Sequence, residues 1–498
     1  MKTYQDLLSV EQTDKSRAEF VRDVIKHYQS GDIYRTAKVA DEYDRCRNTT
    51  AMSYQKMITD VSGRQYVDRL ATVHRSCSNF FGIFTTQLAQ YLLGNGVKWK
   101  SRASDKLGHD FDARLQQAGK YALVFGVSFG FYNLDHLEVF SPLEFAPIYD
   151  EENGALAAGV RFWQIDNTKP LRATLYEIDG YTNYYWQGST QAAAGGKWHK
   201  IDDGVYMLDK QPYKVTIATT ESDGDEILAG DNYPAFPIVP LWGNPHKQSE
   251  IVGLREKIDA YDFILNGWED DLDNAQLYWI ISGAGGMDDP DLLRFLDRLR
   301  TVKAAAPADG QDVTPVTVNI PVEARETLLQ RLEKQLYRDA MIMNPEDIAG
   351  GAATATQIRA AYERQNCKAD QFEYCVIDFI DGILSIAGIV DTPTFTRSMI
   401  VNTQEEVQTV VTAAQYLGSE YTTRKILTLL GDGDQADKVL RNKLPSDTRV
   451  EYARQMLDMG LMTPAEARAL ITGEDEATAK AALPGMEDMT DEGQDEVE

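Results

Sequence analysis

Acidic side chains crowd one short run: Glu269, Asp270, Asp271 and Asp273 lie within Trp268-Glu-Asp-Asp-Leu-Asp-Asn274. Carboxylates at such density are the means by which hydrolases hold two divalent cations. On a helix, however, the same acids flank Trp268 and Leu272 of an apolar stripe and read as a solvated face. Other chemistry is thinner. The phosphate-cradling G-x-x-x-x-G-K-[ST] does not occur, and Gly196-Lys197 runs into Trp198 instead of a hydroxyl that would hold magnesium. Ser282-Gly-Ala-Gly-Gly-Met-Asp-Asp289 has the first two glycines of a dinucleotide turn, but Asp288 at the third position would repel a pyrophosphate. Near Asp432 a calcium-loop beginning fails, because Ala436 and Lys443 stand where ligating oxygens are required. The 6 histidines form no H-E-x-x-H pair, and the 4 cysteines, Cys46, Cys77, Cys367 and Cys375, show no C-x-x-C spacing and read as reduced core thiols. No cofactor is expected.

The acidic run sits in the stretch around which the rest of the chain is organised. Ile251, Leu254, Ile258, Tyr261, Leu265, Trp268 and Leu272 recur at alternating steps of 3 and 4, a seam that asks for a facing helix. Residues 322–343 supply one, with Leu329, Leu332, Leu336, Ala340 and Met343 in the same pattern. Between them lie a strand at 277–281, a helix from Asp288 to Lys303 and a second strand from Val313 to Pro321. Helix, small module and returning helix make a stalk with a tip. In the tip helix the acids precede Arg294, Arg298, Arg300 and Lys303, an order that suits the helix dipole.

The length of 498 residues calls for several domains. A formal net charge of −27 opposes a tight, static grip on a polyanion, and the tail 474–498 contributes ten acids against Lys480 alone, so it reads as solvated and disordered. No run of 18 uncharged apolar residues exists to span a bilayer; the best candidate, Tyr121–Leu134, reads as a buried strand pair. The start lacks the basic region and apolar core of a signal peptide, so cytoplasmic synthesis is expected. Helices are predicted at 14–29, 64–93, 355–387, 403–417, 421–430, 448–459 and 463–472, with a strand at 395–401. From Lys120 to Pro240, aromatic and β-branched clusters alternate with Asn-Gly, Asp-Gly and Gly-Gly turns, the pattern of antiparallel strands. Phe162, Trp163, Tyr181, Tyr184, Tyr185 and Trp186 there read as packing and cross-strand pairs before they read as a ligand platform. Pro345 and Gly350-Gly351 break the chain between two helices, and Thr354 with Gln357 has capping-box spacing.

The stalk layout, with FPIVPLWGN (236–244), EKIDAYDFILNGWEDDLDNAQ (256–276) and the helix ending in Tyr91-Leu-Leu-Gly94, resembles the portal (head-to-tail connector) proteins of tailed double-stranded-DNA phages, the Gp6-like family. The resemblance runs from about residue 20 to 430. It implies a mainly α fold with an antiparallel β-rich wing (α+β): wing 1–245, stem helices 246–276 and 322–343, α/β clip 277–321, tunnel loop 344–354, wing helix and strand 355–402, helical crown 403–473, and the acidic tail. It implies a non-enzymatic subunit, twelve to a ring, at one capsid vertex of the virion after assembly in the host cytoplasm. Double-stranded DNA would pass through the centre. Its expected partners are the terminase large subunit ATPase, capsid and scaffolding proteins and a neck adaptor. The tunnel loop, Asn344, Pro345, Glu346, Asp347, Ile348, Ala349, Gly350 and Gly351, would line the channel, and Arg294, Arg298, Arg300 and Lys303 would serve docking at the clip. The alternative is a metal-dependent hydrolase working through the carboxylates around Asp270.

Overall fold

The computed structural model describes residues 2–472 apart from 12, 60–62, 68–72, 102–103, 167, 188–197, 220–225, 275–277, 283–289, 291–293, 295–311, 317–321, 348–354, 399–402, 415, 417, 431–432, 434–435, 437–438 and 440–445. Two compact units emerge: Met1–Gly351 with Arg359–Met399, and Ala352–Ile358 with Ile400–Glu498.

The first unit opens with helices α1 (Tyr4–Ser9), α2 (Asp14–Gln29), α3 (Asp32–Asp44) and α4 (Thr49–Ser53), then the hairpin β1 (Met57–Thr59) and β2 (Gln65–Val67). Next come α5 (Phe80–Leu93), β3 (Val97–Trp99), α6 (Ser104–Leu107) and α7 (Phe111–Phe125). Strands β4 (Val127–Asn133), β5 (His136–Phe140), β6 (Phe145–Tyr149), β7 (Leu156–Trp163), β8 (Leu171–Glu177), β9 (Gly180–Trp186), β10 (His199–Asp202), β11 (Val205–Met207), β12 (Lys214–Thr219), β13 (Glu226–Asp231) and β14 (Ile238–Trp242) follow. A six-stranded antiparallel sheet has the order β10-β11-β9-β8-β7-β6, and a three-stranded one the order β14-β4-β5.

Helix α2 lies across the larger sheet because its Ala18, Phe20, Val21, Val24, Ile25 and Tyr28 fall on one side at helical spacing. They meet Ile148, Val160, Phe162, Leu175, Tyr184 and Trp186, so these aromatics are core rather than platform. Thr13 caps the helix through its hydroxyl, which accepts from the Ser16 N–H at 3.3 Å. The two sheets join through aromatic rings, Phe129 on Phe145 at 4.5 Å and Phe131 on Tyr176 at 5.3 Å.

Tyr121–Leu134 is not a strand pair. Helix α7 runs to Phe125, Gly126 takes a left-handed φ of 89°, and only then does β4 begin. A Cβ on Gly126 would sit 2.6 Å from the Ser249 amide nitrogen, so the turn and the crossing chain both require glycine. Among the described residues the predicted helix 64–93 is likewise only α5; Gln65–Val67 pairs with Met57–Thr59 as a hairpin. The strand predicted at 395–401 is β17 (Pro393–Phe395), paired with β3, among the described residues. The cysteines are free and lie half-buried or, for Cys367, exposed, so they are not core thiols.

After β14 come α8 (Arg255–Asn274), β15 (Tyr278–Ser282), β16 (Asp312–Val316), α9 (Val322–Ala340) and α10 (Ala355–Ala387). In the second unit α11 (Thr403–Ala413) packs with α12 (Ser419–Leu430), and α13 (Ser446–Asp458) with α14 (Pro464–Thr472). Thr463 and Glu466 close a capping box at the start of α14, Thr463 N–H donating to Oε2 at 2.7 Å. No helix among the described residues is long and apolar enough to cross a membrane.

Candidate functional site

Helices α8 and α9 run antiparallel, as two ion pairs at opposite ends show: Lys257 to Asp339 at 2.7 Å and Arg325 to Asp271 at 2.5 Å. The predicted seam is deepest at its start. Ile251, Leu254 and Ile258 are buried, as are Leu336 and Ala340 on α9, and Leu254 lies near Phe81, Phe84 and Leu88 of α5, whereas Tyr261, Leu265 and Trp268 are half-buried and Leu272 is 53% exposed. Aromatic edges complete the joint with α5, Phe80 on Tyr261 and Phe84 on Tyr337, each at 5.0 Å.

A second stripe of α8 is polar and buried. Asp262, Asn266 and Asp270 stand four residues apart, and their oxygens accept from the backbone N–H groups of Ser78 (2.9 Å), Ser76 (2.7 Å) and His74 (2.8 Å). The spacing matches because four helical residues rise about 6 Å and two extended residues span about 6.6 Å. An extended segment thus pairs with side chains as it would with a neighbouring strand. Asn266 Nδ2 returns a bond to the Ser76 carbonyl at 3.0 Å. Burial pushes the Asp262 carboxyl up from its ordinary value, against hydrogen bonds from Ser78 and Asn48 that hold it down.

This overturns the solvated-face reading at Asp270, while Asp271 keeps a side-chain exposure of 45%. Asp270 is 3% exposed and also faces His74 Nδ1 at 2.8 Å; Glu269 accepts from the Ser76 hydroxyl at 3.0 Å, and Asp271 turns to Arg325. Three neighbouring carboxylates therefore serve three different partners. No cluster of three His, Cys, Asp or Glu able to hold a metal occurs among the described residues. The hydrolase alternative gains no support from this arrangement.

The end of α9 is fastened at several points. Lys368 of α10 donates to the Ala340 carbonyl at 2.8 Å and pairs with Glu250 at 2.5 Å, placing a cation on a helix C-terminus. Gln365 Oε1 accepts from the Met343 N–H at 3.0 Å, and Gln87 donates to the Met343 carbonyl at 3.3 Å. Met341, with φ 55°, turns the chain. Asn344 is buried, and its Oδ1 accepts from the Glu346 N–H at 3.1 Å, starting a 3-10 turn over Pro345–Asp347. Pro345 and Glu346 are exposed. Ile348, Ala349, Gly350 and Gly351 lie outside the described residues, as do Arg298, Arg300 and Lys303; Arg294 is exposed.

The sequence reading missed Asp262, Asn266 and Gln365. The repeat Asp-x-x-x-Asn-x-x-x-Asp was a usable signal for the first two, since a polar file parallel to an apolar one marks a second buried face.

A family model described as phage portal protein, SPP1 Gp6-like, matches residues 34–441. The chain belongs to that family. Among portal-family relatives, the portal protein of Clostridium phage phiCD119 is 23% identical over 364 residues, 67% of this chain and 77% of that one. The portal protein of Bacillus phage SPP1 is 24% identical over 401 residues, 74% and 75% of the two chains. Solved structures similar to this portal-family chain include one from the neck of an empty gene transfer agent particle, with a TM-score of 0.38 and 12% identity over 70% of this chain and 89% of the other.

Proposed function

We propose that the chain is a non-enzymatic portal subunit that forms a ring of twelve at one capsid vertex of the virion, with double-stranded DNA passing through the centre during packaging and ejection. The observation that carries this is the family match across residues 34–441. In this reading α8 and α9 are the stem, β15 and β16 belong to the clip that docks the terminase ATPase and later the neck adaptor, and the second unit is the crown. Capsid and scaffolding proteins meet the ring during assembly in the host cytoplasm.

The loop Asn344 to Gly351 lines the narrowest part of the channel, with the buried Asn344 as its anchor. Supporting this, α9 is fastened up to Met343 and the chain leaves the joint through an exposed turn at Pro345 and Glu346. Residues 344–353 hold two acids and no base, and each cation there would add a phosphate contact to break at every step. Ile348→Lys tests the reading: ring assembly should persist while packaged DNA falls, with the defect easing as salt rises. Normal packaging at low salt would place the loop elsewhere. At the clip, replacing Arg294, Arg298, Arg300 and Lys303 together by Gln should leave rings intact and weaken attachment of the ATPase or adaptor. Failure of the rings themselves would make these residues contacts between subunits.

A further inference from the structure

A cleft of about 300 Å³ opens where the last turns of α9, the segment 342–344 and α10 meet. Lys334 and Arg338 reach it from one helix and Arg364 from the other, with Tyr337 and Asn344 between them. None of the three cations has a carboxylate within 4 Å among the described residues. On the same two helices Arg325 and Lys368 are paired. Two acids lie nearby: burial raises the Glu333 carboxyl from its ordinary value, the Glu346 charge adds to this, and Lys334 opposes it. Gln365, next to Arg364 on α10, is buried with its Oε1 on the Met343 N–H, yet its Nε2 donor has no partner among the described residues.

We infer that this cleft is a binding site for a phosphate-class anion, held by Lys334, Arg338 and Arg364. Three cations from two helices enclose a concave space that a tetrahedral anion can enter, and guanidinium groups offer it paired N–H donors. The inference deepens the channel reading and rests on it only for the source of the anion: a DNA backbone phosphate if residues 344–351 line the channel, free phosphate otherwise. Contacts of this kind beside a loop with two acids and no base would be few and weakened by salt, which keeps them compatible with a moving rod.

The test is calorimetric titration of inorganic phosphate into the purified full-length protein, against chloride at equal ionic strength. Arg338→Gln and Arg364→Gln sit at exposed helical positions where Gln is a good helix former, so folding should persist. Each should weaken phosphate binding by roughly tenfold, the worth of one charge-assisted contact, and the double variant should abolish it. Arg325→Gln, which removes a paired cation, should bind as the parent does. A short DNA duplex that displaces the phosphate identifies the backbone as the source; phosphate binding indifferent to duplex identifies the free anion. Absence of phosphate binding in the parent, or equal binding in the double variant, would overturn the site. A phosphate-binding cleft together with normal packaging by Ile348→Lys would instead remove only the channel placement.

Discussion

The β-rich body and the helix pair solve burial in opposite ways. In the body, α2 and the six-stranded sheet close a core within one chain, and Leu175, Val160 and Ile148 have no exposure. In the helix pair, the buried stripe is apolar at one end and polar along its flank, while Phe263 (58%), Leu272 (53%) and, on α10, Tyr374 (71%) remain exposed. That core closes without a neighbour, although Ile165 (86%), Ile178 (47%) and Trp163 (38%) of the body stay exposed. Helices that leave large apolar side chains in water are suited to neighbours, as a ring of head-to-tail contacts provides. The core is thus closed chiefly in the body, while the helices carry part of their apolar surface outward.

Substitutions can break that division or sharpen it. The largest stability loss should come from the body: Leu175→Ala should cost about 2 to 5 kcal/mol in denaturant unfolding of the chain. An effect below 1 kcal/mol would mean that the body's core is not closed. Second is the polar ladder, where Asn266→Ala strands the buried-side Ser76 N–H and should cost roughly 1 to 3 kcal/mol. Amide exchange at Ser76 should accelerate, while exchange in β8 stays unchanged.

The ladder also carries a pH signature. Because burial raises the folded Asp262 carboxyl above its unfolded value, the folded state takes up the proton first as pH falls. Ionised Asp262 therefore costs stability at neutral pH, and that cost fades as pH drops through the folded value toward about 4. The stability of the parent relative to Asp262→Asn should improve over that window; a flat difference would show that the carboxyl is solvated. A smaller effect is expected for Leu265→Ala, half-buried in the single chain, at roughly 1 kcal/mol, with a larger loss of ring yield. Smallest is Arg325→Gln, since its half-buried pair with Asp271 is still open to solvent and worth about 1 kcal/mol or less.

Much of this was readable in the sequence where one face alone is buried. The buried side of α10, Ile358, Tyr362, Ala369, Phe372, Val376, Phe379 and Ile383, follows from its period, and so do α2 and the return helix α9. Legibility failed where a run is buried all round or where polar groups are buried. Tyr121 to Leu134 is apolar on every side, so period could not divide helix from strand; Gly126 does so through its backbone. Asp262, Asn266 and Asp270 look solvated until the extended segment from His74 to Ser78 is laid beside them. The partnering of a helix face by a distant coil leaves no periodic trace of its own.

The placement of the loop is the claim on which the channel account turns. A photoreactive amino acid in place of Ile348 should, on illumination of DNA-filled particles, cross-link the portal chain to DNA. The same group in place of Trp163, exposed on the β-rich body, should give only protein cross-links. DNA cross-links from position 348 are the predicted result, and protein cross-links alone from that position would contradict it.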